Sequence, residues 1–387
     1  MKIPCGDVVE LETSLRILRR QHHALYPVYK LSIPPADQLV IPTSQEWLIR
    51  HIMEDPVIAP YRPDASYERR FWRRIVGVLE DVGVKEIQGE SEGSGEIDVE
   101  IDERIYTHLS DLMVSGTATE SGSLVDLPGQ SFRTFIFDRP DEPNEHALTL
   151  LEEQMAIQGG STGLRTWTAS LHLGQIILSH PSILCSSHHT SLKGKSVVEL
   201  GAGTGFLSIL LAQLGARVSA TDLGDDVEGG LEENEPVRQA PLRRLRHNVE
   251  LNGMQSQISV SHLDWMDALK PEAERPEIWR DSCKESRTVV AADVIYDPDI
   301  VPALVKTIQV LIDTENDGPW GQAIIAATVR NRSTLDFFRS SCEEAGMSIT
   351  LLNIPPCEQA EQIFWDSGID QGSDVEIMRI HKSSTNC

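Results

Sequence analysis

The chain has 387 residues, 40% of them hydrophobic, and a formal net charge of −25. That much apolar material builds a sizeable core and excludes a disordered polymer, and the length calls for two parts rather than one small domain. The acidity excludes a duplex-binding surface, since phosphates would be repelled where no basic stripe compensates; a basic protein partner fits it better.

In chain order, residues from about 7 to 115 read as helical. Leu11, Leu15, Ile17 and Leu18 recur at helical spacing, then Trp47, Leu48 and Ile52, then Phe71, Trp72, Ile75, Val78 and Leu79. Pro34-Pro35 and Pro56 interrupt them, and the Gly-, Ser- and Glu-rich stretch Lys85 to Glu103 reads as a solvated loop. Phe132–Phe137 and Leu148–Leu151 are short strand candidates, and Gly159-Gly160 marks a flexible joint.

From Thr162 onward apolar runs of strand length alternate with helical patterns, the signature of a doubly wound α/β domain. The predicted strands are Ser196–Leu200, Arg217–Thr221, Ile258–His262, Thr288–Ala292 and Gln322–Thr328. Helices are predicted at about 204–214, 241–252, 299–312 and 334–345, the first ending at Gly215 and the last N-capped by Ser333. Ser348–Leu352 and Asp374–Ile380 then add an antiparallel pair at one edge, giving seven strands. A further helix is predicted to start in Thr162–Leu173, ahead of the first strand.

The strongest motif is Val197-Val-Glu-Leu-Gly201-Ala202-Gly203-Thr-Gly205, a buried strand turning into a helix. Glycines there let backbone approach a ligand that a Cβ would exclude. The spacing is G-x-G-x-G; Phe206 stands where the dinucleotide fingerprint has its last glycine, which disfavours a pyrophosphate pocket and an NAD-dependent dehydrogenase. An adenosine ligand without phosphates fits better. Asp222 ends the next strand, about twenty residues on, where a carboxylate accepts from ribose hydroxyls or caps a turn. Asp264 is suited to an adenine amino group, and Trp265 to the ring beside it or to plain core. Ala292-Asp293 closes the fourth strand, and Asp293 is the candidate catalytic carboxylate; Asp297-Pro298 reads as a turn. Trp167 is either a lid or a core residue, and His172 a surface or packing histidine.

Six cysteines, at 5, 185, 283, 342, 357 and 387, form no C-x-x-C pair, and neither a disulfide framework nor a metal site is expected. Met1 to Glu10 lacks a secretory apolar run, and no stretch approaches ~20 uncharged apolar residues. The expected location is the cytoplasm, without a membrane span.

At Glu199-Leu-Gly-Ala-Gly-Thr-Gly205, Thr221-Asp222, Asn248–Gly253, Asp264-Trp265 and Ala292-Asp293-Val-Ile-Tyr296, the chain resembles the seven-β-strand protein-lysine methyltransferases. Thr162–Trp167 and Ala327-Thr-Val-Arg330-Asn331 resemble, more narrowly, the eukaryotic elongation factor 2 lysine methyltransferases. The resemblance covers about 160–380. It implies a Rossmann-like seven-stranded sheet at 156–387, a mainly helical substrate-docking region at 1–155, and S-adenosyl-L-methionine as cofactor. It also implies cofactor contact by Trp167, Gly201, Ala202, Gly203, Asp222, Trp265 and Ala292, an Asp293 facing the substrate amine, and elongation factor 2 as protein partner. Two departures stand out: Thr168 where the family has an acidic residue after the tryptophan, and an acidic run at 224–240. The alternatives are a different acceptor (another protein or a small molecule) and a non-catalytic scaffold. A flipped base is disfavoured because no N-P-P-Y or D-P-P-Y loop follows the fourth strand.

Overall fold

The structure, a computed structural model, describes residues 5–87, 100–117, 129–139, 142–153, 163–185, 191–224, 241–279, 288–313, 321–354, 362–367 and 374–383. The stretch 89–96, Gly159-Gly160, the acidic run 225–240 and the expected division at 155/156 lie outside them. The chain divides into two compact units, Met1–Ile136 with Trp365–Gly368, and Phe137–Phe364 with Ile369–Cys387. No helix among the described residues is long and apolar enough to cross a membrane.

The first unit realises the helical periodicity as α1 (Cys5–His23), α2 (Ala36–Leu39), α3 (Pro42–Leu48), α4 (Ala65–Ile87) and α5 (Glu103–Thr117). Leu11, Leu15 and Leu18 of α1 and Phe71, Trp72, Ile75 and Leu79 of α4 recur every three or four residues, so each set forms one stripe, and both stripes share a core. Among the buried polar groups inside it, Arg19 pairs with Asp55 at 2.7 Å, and Glu68 accepts from Trp72 Nε1 at 2.9 Å and lies 3.2 Å from His22 Nε2.

The boundary between the units falls within β1 (Gln130–Arg139), which forms a two-stranded sheet with β2 (Glu142–Glu153). After α6 (Thr168–Ser179) come β3 (Ser196–Leu200), α7 (Phe206–Gln213), β4 (Arg217–Asp222), α8 (Pro241–Leu251), β5 (Ile258–His262) and β6 (Thr288–Ala292). Then follow α9 (Val301–Ile312), β7 (Gln322–Thr328), α10 (Arg332–Glu344), β8 (Met347–Leu351) and β9 (Val375–Lys382). The seven strands β3–β9 lie in the order β5-β4-β3-β6-β7-β9-β8, with β9 antiparallel to both its neighbours and the other pairs parallel.

Strands covered on both faces read as largely apolar runs, and the central strands β3, β6 and β7 do so apart from Glu199 and the terminal residues Ser196, Thr288, Gln322 and Thr328. Val198, Leu200, Val289, Ala291 and Ile325 share one core with Leu304 and Ile308 of α9 and Leu335 and Phe338 of α10. The alternate residues Val197, Val290, Ile324 and Ala326 are buried as well. On the way out from β3 the chain adds β4 and β5, then returns to pair β6 on the other side of β3. Such a reversal opens a crevice at the carboxyl ends of the strands on either side of it.

Helix α6 begins at Thr168 with Trp167 as its N-cap, so the tryptophan stands at the helix start as expected, and residues 163–167 form a turn and extended chain. One cap differs from the sequence expectation. Helix α10 is capped by Asn331 rather than Ser333: the Asn331 Oδ1 accepts from the Ser333 amide at 3.1 Å and from its hydroxyl at 2.7 Å. Helix α7 ends where expected, and Gly215 follows with Ala216 N–H returning to the Leu211 carbonyl.

Candidate active site

One cleft of about 680 Å³ opens at the crevice, within the size range of small-molecule sites. Trp167, Gly201, Ala202, Gly203, Asp222, Trp265, Ala292 and Asp293 all line it, as do Asp264 and Tyr296. They come from the carboxyl ends of β3, β4, β5 and β6 and from the start of α6. Asp297 does not line the cleft; its carboxylate caps a turn by accepting from the Asp299 amide at 2.9 Å. His172 lies outside it, at an exposed position of α6. No group of three or more His, Cys, Asp or Glu side chains among the described residues is placed to hold a metal ion.

The glycine turn after β3 is tight. Gly201 has φ +65°, and a Cβ there would sit 2.9 Å from Val294 Cγ1 and 3.8 Å from Trp265 Cζ2, in the cleft wall. A hydrogen in that place leaves room for a flat ligand. The turn's amides are largely spoken for: Ala202 N–H donates to the Thr221 carbonyl at 2.9 Å, Gly203 N–H to Asp222 Oδ2 at 2.6 Å, and Gly205 N–H to the Ala202 carbonyl at 2.8 Å. A phosphate cradle needs such donors aimed outward, and these are consumed inside the protein.

Asp222 also accepts from the Leu223 amide at 2.7 Å, through its other oxygen. Burial pushes its carboxyl above the ordinary aspartate range, against the two amides and His262, which favour the anion. Each oxygen has one amide partner, and a carboxylate has about four acceptor positions, so acceptor capacity remains toward the cleft. Asp264 caps the short helical turn Trp265–Leu269, accepting from Met266 N–H at 2.9 Å. Trp265 is half-buried and packs one side on the main core, so it is both core and cleft wall. Leu223 and Met266 line the cleft beside it although both are exposed.

Asp293 departs from regular backbone, with φ +55° in a non-glycine residue. That bend follows from its partners: the amide donates to the Ala326 carbonyl at 2.9 Å, while Oδ1 accepts from Thr328 N–H at 2.9 Å and Oδ2 from the Thr328 hydroxyl at 3.0 Å. Oδ2 also accepts from Ala169 N–H at 3.3 Å, at the N-terminus of α6, where a helix favours negative charge. Arg330 lies 3.4 Å from both oxygens and 4.9 Å over the Trp167 ring.

Several cleft residues were not assigned from the sequence. Glu199, on the otherwise apolar Ser-Val-Val-Glu-Leu strand, is buried, accepts from the Ser208 hydroxyl, and is pushed up to about 8, first of all by burial. Its charge in an apolar run was the available signal. Thr166 links the Glu152 carboxyl of β2 to the Thr204 hydroxyl of the turn at 2.7 Å. Asn248 of α8 donates to the Thr204 carbonyl at 2.9 Å and accepts from Leu151 N–H at 2.9 Å, and Asn252 bridges both backbone groups of Thr149. Helical spacing of four thus matches strand spacing of two, and the cleft turn is tied to β2.

The lysine methyltransferase family profile matches residues 143–344, just over half of the chain, and takes in β2 through α10. Over 220 residues the chain is 36% identical to the protein-lysine N-methyltransferase EFM3 of Chaetomium thermophilum, covering 56% of this chain and 57% of that protein. It therefore spans little more than half the length of that relative. With the protein-lysine N-methyltransferase EEF2KMT of Homo sapiens it shares 23% identity over 320 residues, 79% of each chain. With EFM3 of Saccharomyces cerevisiae it shares 25% over 262 residues, 67% of this chain and 68% of that one. A matched segment that contains the seven-stranded sheet's central strands, the glycine turn and the acidic strand ends makes this chain a member of the lysine methyltransferase family.

Proposed function

We propose that the chain transfers a methyl group from S-adenosylmethionine to a lysine side chain of a protein, and that elongation factor 2 is that protein. The observation that carries this reading is the convergence of eight residues, anticipated separately along the sequence, on one cleft whose glycine turn has little left to offer a phosphate. Elongation factor 2 as acceptor rests on the Thr162–Trp167 and Ala327–Asn331 stretches and on the name of the human relative.

The cleft suits such a cofactor. Gly201 and Gly203 border the face a side chain would fill, Asp222 is placed to accept from ribose hydroxyls, and Trp265 with Leu223 and Met266 offers apolar walls for the base. Bound there, S-adenosylmethionine supplies an electrophilic methyl group on a cationic sulfur. The residues of the chain then have to align an amine, and alignment alone accounts for a large share of a rate enhancement. A free lysine has a pKa of about 10.4 and arrives protonated. Asp293, whose oxygens are held by Thr328 and Ala169 with Arg330 beside them, draws the ammonium in through its negative charge, and that charge opposes proton loss. It serves as an anchor rather than as a strong base. Trp167, at the start of α6, walls the cleft from the other side.

Residues 1–155 serve as the docking region in this reading, and the cytoplasm is the compartment, with Cys185 and Cys342 as buried free thiols. The test is mass spectrometry of elongation factor 2 after incubation with the protein and cofactor. A lysine heavier by one or more methyl groups is the expected result. Label from radioactive cofactor entering only small molecules, or nothing, overturns the reading.

A further inference from the structure

We propose that Arg330 is a positioning residue of this site: it shares the charge of Asp293, so that the anchored lysine can lose its proton, and it props Trp167 against the cleft. The inference rests on the methyltransferase reading above and adds a residue to it.

The carboxylate of Asp293 is oriented without Arg330. Thr328 N–H at 2.9 Å, the Thr328 hydroxyl at 3.0 Å and Ala169 N–H at 3.3 Å hold both oxygens from two directions. The two guanidinium nitrogens stand at 3.4 Å, beyond the usual length of a charge-assisted hydrogen bond, one on each oxygen. What they add is a positive charge. The Asp293 side chain is only 3% exposed while that of Arg330 is 37% exposed, so the arginine caps a carboxylate that water barely reaches. The same guanidinium lies 4.9 Å over the Trp167 ring, a distance suited to cation–π attraction. One side chain therefore touches the two groups that flank the place where the amine must enter.

The chemistry makes that charge useful. A shielded, uncompensated carboxylate would hold an ammonium by its full charge and raise the amine's pKa in the complex. Sharing the carboxylate with Arg330 keeps the attraction that gathers the substrate while weakening the hold on its proton. The other ionisable groups lining the cleft, Arg165, Glu199, Asp222, Asp264 and Tyr296, are unchanged when Arg330 is replaced, so a shift reports on Arg330.

Two substitutions separate charge from platform. Arg330→Gln keeps a planar group without charge, and Arg330→Lys keeps the charge without the planar fork. Single-turnover methylation of elongation factor 2 with tritiated S-adenosylmethionine is followed across pH in the full-length chain, after melting curves establish that both variants fold. In Arg330→Gln the acid limb of the rate profile moves up by about one pH unit. In Arg330→Lys the limb stays in place while cofactor affinity falls several-fold as Trp167 loses its support. An unmoved limb in Arg330→Gln, or equal shifts in both variants, overturns the inference while the wild-type activity stands. No transfer by the wild-type chain overturns it together with the reading it rests on.

Discussion

Gly201 and Glu199 sit two residues apart on the same strand end, and each sets a measurable limit on the cleft. At Gly201 a methyl group would meet Val294 at 2.9 Å from a backbone already at φ +65°. A left-handed residue with a side chain costs on the order of 1–3 kcal/mol, and the methyl also fills ligand space. Gly201→Ala is expected to fold with a lowered melting temperature and to bind S-adenosylmethionine at least tenfold more weakly by calorimetry. Glu199 governs a pH dependence. Its carboxyl moves from an ordinary 4.5 to about 8 in the folded chain. Between those values the folded state keeps a proton that the unfolded state has released, so this contribution to stability is full below about pH 4.5 and is lost as pH rises through about 8. Glu199→Gln, neutral throughout, should melt several degrees higher than wild type near pH ~9 and about equally near pH ~5. Melting curves that run parallel at both pH values would contradict this. The strand end of Asp293 was readable from its chain position, but its partners were not. Thr328 and Arg330 lie 35 and 37 residues away in sequence, and only the pairing of β6 with β7 brings them alongside.

Among the elements, α8 carries more of the site than its position away from the cleft floor implies. Asn248 is fully buried and satisfies Leu151 N–H and the Thr204 carbonyl together, and Arg244 of the same helix pairs with Glu153 at 3.0 Å with neither side chain exposed by more than 1%. Replacing Asn248 by Ala leaves a donor and an acceptor unpaired in the interior, each costing about 1–3 kcal/mol. Asn248→Ala is expected to lose several degrees of melting temperature and part of its cofactor affinity, since Thr204 belongs to the glycine turn. Unchanged affinity would uncouple the helix from the cleft. The strands of the seven-stranded sheet and its crossover helices were legible within a residue or two, because a buried parallel strand is a largely apolar run and its turns carry glycine or aspartate. Strand β2, by contrast, runs from Glu142 to Glu153, well beyond the expected Leu148–Leu151. Helix starts were less so: Asn331 and Ser333 are both good caps by type, and the backbone geometry at Asn331 decides between them. The clasp between α8 and β2 left only a pair of asparagines four apart, which has the same appearance on a solvent-facing helix.

For the whole molecule, two predictions concern chain division and charge. A chain beginning at 156 lacks Glu153, Leu151 and Thr149, and so strands Arg244, Asn248 and Asn252 in an interior built around them. Removing one partner of a buried ion pair costs about 3–5 kcal/mol. The 156–387 chain should be heat-labile and fail to bind cofactor, whereas 130–387, which keeps β1 and β2, should bind it; thermal shift with S-adenosylmethionine distinguishes them. A net charge of −25 gives a field that speeds encounter with a basic protein and is screened by salt. Added salt should therefore lower kcat/KM for the protein substrate severalfold while leaving the KM for cofactor almost unchanged. The placing of β9 has a consequence of another kind. Strand β8 pairs with β9 alone, and β9 also closes β7. On a ribosome that has passed Leu351, β8 has no neighbour and the apolar β7 has a bare side until Val375–Lys382 is made. That interval of synthesis is when the nascent polypeptide is most prone to stick to others, and a chaperone shielding it would have its greatest effect there.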